Sequence, residues 1–93
     1  MSQEAYANGV AVDACKQMKT IVQGGLTEAI QQLCRQGDLL ANGLNWKGNR
    51  AQQFEGEWQQ MRQALHRAQE AVEQLRAKAD ETLEAIQRAA GNI

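Results

Sequence analysis

Ninety-three residues with no proline, four aromatics (Tyr6, Trp46, Phe54, Trp58) and 23% charged side chains allow one domain at the small end of the range, where a core is hard to fill. Ten basic against eleven acidic side chains leave a formal charge of −1. No one-signed stretch is present that would track a phosphate backbone, so nucleic acid is not an expected partner. No apolar run approaches the roughly 20 residues that cross a bilayer, and the N-terminus lacks the basic segment and hydrophobic core of a cleavable signal. Direct membrane insertion is therefore not expected, and any exit from the cell would be independent of a signal peptide.

Alanine, glutamine, glutamate, leucine and arginine dominate, which is helix-forming composition, and no proline interrupts it. In the first half Tyr6, Val10, Ala14, Met18, Ile21, Gly25, Ala29, Leu33 and Leu40 recur at steps of three and four, with Val22, Leu26, Ile30 and Leu44 widening the stripe. This predicts an amphipathic helix over about 4–41. Gly24-Gly25 interrupts it at a cost of roughly 1 kcal/mol per glycine against alanine. A kink or a close helix contact is expected there, either as a tolerated irregularity or where a partner backbone comes near.

Asn42, Gly43, Asn45, Gly48 and Asn49 then crowd into one short stretch, supplying residues that accept positive φ and turn the chain back. The expected turn covers about 42–48. Beyond it Ala51, Phe54, Trp58, Met61, Leu65, Ala68, Val72, Leu75, Ala79, Leu83 and Ile86 form a heptad-like stripe, and the opposite face is polar. Asn49 with Gln52 offers a start and Gly91-Asn92 a stop, which predicts a second helix over about 49–90. The economical fold is all-α: a single domain over 1–93, an antiparallel two-helix hairpin.

A hairpin has no closed core, because each helix covers one side of the other. Phe54, Trp58, Met61, Leu65, Val72 and Leu75 make a stripe wider than one neighbouring helix hides. Burying each large side chain is worth about 1.5–3 kcal/mol, so the expected solution is a partner interface through these six residues, dimerisation giving a four-helix bundle. The partner is a second copy (homodimer) or another small helical-hairpin protein (heterodimer).

Catalysis is not expected. His66 is alone, Ser2 is the only serine, and no nucleophile stands at a recognisable spacing from either. Cys15 and Cys34 are about 28 Å apart along a continuous helix, which excludes a bridge unless the segment folds back. They read as free, packing thiols. With one histidine, a Cys/His metal site within the chain would be incomplete, and no cofactor is implied.

Trp46-Lys47-Gly48 stands at mid-chain in the expected turn, followed by Ala51, Phe54 and Trp58 at helical spacing. Trp46 can spread its ring over the open end of a bundle, and Gly48 lets the backbone turn beneath it, by positive φ or by lacking a Cβ. In length, layout and these residues the chain resembles the WXG family, the small ESAT-like proteins of bacterial type VII secretion systems. The resemblance implies a secreted factor, or a helical partner or targeting adaptor for a larger type VII substrate. Such a chain is cytoplasmic before export and secreted afterwards. It also implies that Trp46 and Gly48 form part of a composite export motif, a role compatible with Trp46 plugging the bundle end. The family's C-terminal Tyr-x-x-x-Asp/Glu element is missing, since no tyrosine follows Tyr6. The alternative is a generic coiled-coil adaptor or assembly protein unrelated to secretion, in which Trp46-Lys47-Gly48 is only a turn.

Overall fold

The computed structural model describes residues 5–91, and among them all regular structure is helical. The first arm is built of α1 (Gly9–Thr20), a π-helical turn (Ile21–Leu26) and α2 (Thr27–Ala41), running into one another without a break. The second arm is the single helix α3 (Asn49–Gly91). Expected and observed ends agree at Ala41 and Asn49. The first arm, expected from about residue 4, begins instead at Gly9, where the Asn8 side chain caps it by accepting from the Ala11 N–H at 3.1 Å. Residues 1–4, and Asn92 of the expected stop, lie outside the described residues.

The connection is held by its asparagines. Asn42 Oδ1 accepts from the Leu44 N–H at 2.8 Å, and Asn45 Nδ2 donates to the Leu39 carbonyl at 2.8 Å, occupying one of the acceptors that a helix C-terminus leaves free. Gly43 and Gly48 take φ of 76° and 122°. At Gly48 nothing lies within 4 Å of the position a Cβ would occupy, so positive φ, rather than close approach, is what requires glycine. The Gly48 carbonyl accepts the first helical bond of α3, from the Gln52 N–H at 3.0 Å.

Side-chain contacts pair Asp38 with Trp58 and Arg62, Thr27 with Gln69, Gln23 with Glu73 and Cys15 with Ala79. Residue numbers thus fall along one arm as they rise along the other. The molecule measures 68 × 25 × 14 Å with a radius of gyration of 20.3 Å, against about 12 Å for a compact chain of this length. Its smallest dimension is close to the width of one helix with its side chains. The chain is one layer thick.

The seam on the first arm is not the row that the sequence favours. Val22, Ile30, Cys34, Gly37 and Ala41 are buried, with Leu26 packed beside them, whereas Tyr6, Val10, Ile21, Leu33 and Leu40 of the expected stripe are exposed. The π turn explains how this row stays on one face. Val22, Leu26, Ile30 and Cys34 advance by three successive steps of four, whereas three turns of α-helix take about 10.8 residues. The surplus of about one residue would rotate the seam away, and a turn bonded i to i+5 absorbs it. Gly24-Gly25 lies inside this turn, and among the described residues nothing beyond the turn's own backbone and the adjoining residues comes within 4 Å of a notional Cβ on either glycine. The irregularity is thus a π turn and not a close contact between the arms.

Candidate functional site

Three aromatic rings stack up the turn end of the molecule. Trp46 meets Phe54 edge to face, with ring centroids 5.2 Å apart and planes at 80°, and Phe54 lies parallel to Trp58 at 6.4 Å. Trp46 remains 40% exposed and, with Leu40, Ala41, Gly48 and Ala51, lines a shallow cavity of about 250 Å³. Trp58 is 6% exposed. Its indole lies where a Cβ on Gly37 would be, so the missing side chain at Gly37 is what admits the ring.

The indole N–H of Trp58 donates to Asp38 Oδ1 at 2.9 Å, and Arg62 Nε approaches the same oxygen at 3.2 Å. The bond from Trp58, with Arg62 beside it, holds the Asp38 carboxyl below its ordinary range against some desolvation. Further along α3, Arg76 is 8% exposed and bridges Glu73 and Asp80, both at 2.6 Å. Glu73 is held low chiefly by its bond from Arg76, helped by Gln23, and Arg76 is raised by the same pairing. Polar groups therefore occupy much of the seam between the arms.

The structure divides the six residues expected at a partner interface. Trp58 is buried inside the chain and has little surface left to offer; Phe54 and Leu65 pack against the same core and are half buried. Met61, Val72 and Leu75 remain exposed, Leu75 at 65%. Trp58 and Arg76, about five turns apart, mark the inward direction of α3. Met61, Ala68 and Leu75 are displaced from it by about 60–100°. On α2, Leu33 and Leu40 are displaced by the same step of three from Ile30 and Gly37. Because the arms run oppositely, equal senses of rotation reach the same side. That side continues towards the free ends as a groove of about 450 Å³ in which Met18 of α1 faces Leu75, Leu83 and Ile86 of α3. The opposite side carries Gln31, Arg35, Asp38, Arg62, His66 and Gln69.

Periodicity did not disclose Gly37, Asp38 or Arg76 as parts of the site. One signal for Gly37 was present: folding the chain about Lys47-Gly48 sets it opposite Trp58. Cys15 and Cys34 are free thiols, Cys34 being buried in the seam. Among the described residues no helix is long and apolar enough to cross a membrane, and no three of His, Cys, Asp and Glu gather as a metal site. No family model matches this chain, and no curated protein or solved structure matches it either.

Proposed function

We propose that the chain is a WXG-type helical hairpin of a type VII secretion pathway. In this reading its apolar side pairs with a second small helical hairpin to form a four-helix bundle, and it travels as a secreted factor or as the targeting partner of a larger substrate. The observation that carries the reading is the placement of Trp46-Lys47-Gly48 in the connection between two helical arms. There Gly48 takes φ of 122° and Trp46, half exposed, leans on Phe54. The single-layer thickness and the uncovered row through Met61, Val72 and Leu75 support a partner.

In this reading Trp46 and Gly48 in the turn supply one half of a two-part export signal, and the bound partner supplies the other, a Tyr-x-x-x-Asp/Glu tail. Cells carrying a type VII system are fractionated with the chain expressed alone, with such a partner, and with the partner plus Trp46→Ala. The chain alone stays in the cytoplasm, and the pair reaches the medium in a manner dependent on the secretion ATPase. Trp46→Ala stops export while pull-down still recovers the complex. Full export of the lone chain would refute the split signal. The exposed row through Met61, Val72 and Leu75 equally suits a second reading, a generic coiled-coil adaptor, for which neither pair nor single chain leaves the cell and Trp46→Ala changes nothing.

A further inference from the structure

We infer that the π turn Ile21–Leu26 is a hinge on which α1 swings away from α3 as a unit, while α2 stays seated. The two halves of the first arm are held very differently. α2 contributes Ile30, Cys34, Gly37 and Ala41 to the buried seam, whereas no residue of α1 is buried. Elements with few buried contacts open at lower free energy than the rest of the fold. The junction between them is the one interruption of α-helical hydrogen bonding in the arm, and it holds two adjacent glycines with open space around both. Glycine gives the open state more backbone freedom than any other residue.

A polar latch spans this junction. The Thr27 hydroxyl donates to the Val22 carbonyl at 2.7 Å and accepts from Gln69 Nε2 of α3 at 3.2 Å. On the α1 side of Thr27, Gln23 Nε2 reaches Glu73 Oε1 at 3.4 Å, and Glu73 is in turn gripped by Arg76. The Thr27 bonds hold the π turn to α3 in the closed position, and the long Gln23 contact is the first to break when α1 leaves. Opening separates the two walls of the apolar groove, Cys15 and Met18 on α1 from Leu75, Leu83 and Ile86 on α3. It leaves the Trp58–Asp38 seam untouched, because that seam belongs to α2.

The test is hydrogen exchange followed by mass spectrometry on the full chain. Amides of 9–20 should exchange together, at least about tenfold faster than those of 27–41. Alanine fits at both glycines and restricts the open state more than the closed one, so Gly24→Ala/Gly25→Ala should slow exchange in 9–20 by about tenfold and leave 27–41 nearly unchanged. Gly56→Ala, a substitution at an exposed glycine of α3 with open space around it, should preserve the difference between α1 and α2. Thr27→Val, which keeps the side chain's shape and removes the latch, should speed exchange in 9–20 selectively. The two natural thiols give a second readout on opposite sides of the hinge: the glycine substitutions should slow alkylation of Cys15 and not of Cys34. Equal protection of 9–20 and 27–41 in the parent chain would overturn the hinge, as would a glycine-to-alanine pair that slows both segments alike.

Discussion

Gly37→Ala is the sharpest probe of how the two arms meet. In an exposed helix interior this change stabilises by about 1 kcal/mol. Here the added Cβ would fall within contact-forbidden distance of three atoms of the Trp58 ring, so either the arms separate or the indole turns out of its slot. Overpacking of this kind costs about 1–3 kcal/mol, and full displacement of the indole approaches the 3–5 kcal/mol of a Trp→Ala change. Set against the propensity gain of about 1 kcal/mol, the net loss is about 0–2 kcal/mol where the seam only strains and about 2–4 kcal/mol where the indole is displaced. For a domain of this size each kcal/mol moves the melting temperature by about 4–8 °C. Thermal unfolding followed by circular dichroism measures it, with Gly56→Ala as the reference for pure propensity. In a Trp58→Leu background the clash is gone, and Gly37→Ala should become neutral or stabilising, a coupling of at least about 1 kcal/mol between the two sites. If Gly37→Ala stabilised as much as Gly56→Ala, the close seating of Trp58 on Gly37 would be wrong, and with it the alignment of the arms.

Deleting Gly25 removes the surplus residue of the π turn and leaves Val22, Ile30 and Cys34 in α-helical register. It should change stability by no more than about 1 kcal/mol, whereas deleting Glu70 rotates half of α3 by about 100° and should cost more than about 3, both read by chemical denaturation. Asp38 and Glu73 have lowered folded-state values, so their contribution is present above the ordinary carboxylate pKa of about 4 and is lost as pH falls through the lowered ones. Asp38→Asn should therefore destabilise the chain at neutral pH, with the gap to the parent closing below about pH 4 in a pH series of melts. Met61→Lys with Leu75→Lys should weaken self- or partner association at least tenfold by analytical ultracentrifugation. Leu39→Lys, on the far side of α2, should leave it unchanged.

The two arms, their ends at Ala41 and Asn49 and the glycine turn between them were legible because each rests on local chemistry: a 3.6-residue period, positive-φ residues and asparagine side chains that bond nearby backbone. The seam was not. Periodicity reports the angular width of an apolar stripe, and both stripes here are wider than one contact, so it cannot say which edge meets the other arm. On the first arm the choice between the Val22, Leu26, Ile30 row and the Ile21, Gly25, Leu33 row was settled by a π turn, an insertion that a strict 3.6 period conceals. On the second, Trp58 turned inward because of a glycine 21 positions earlier. Arg76 groups with Arg62 and Gln69 on the polar face when the helix is read in heptads, although at 3.6 residues per turn it stands directly in line with Trp58; its bridges to Glu73 and Asp80 allow it to be buried there.

The polar character of the seam bears on why the proposed reading needs a second chain. Arg62, Gln69, Glu73 and Arg76 occupy or border the contact between the arms, and their bonds offset desolvation without adding the stability of a hydrocarbon core. Meanwhile Met61, Val72 and Leu75, with Leu33 and Leu40 of α2, lie outside that contact and in water. An arrangement that optimised the isolated chain would rotate α3 by about 60° to bring its apolar centre onto the first arm. The Trp58 indole, fixed between the Gly37 gap and the Asp38 carboxylate, opposes that rotation. In the proposed bundle this pin keeps the apolar sides of both arms facing one way, where a second hairpin covers them together, and the polar groups that border the seam within the chain are offset by an apolar contact between chains.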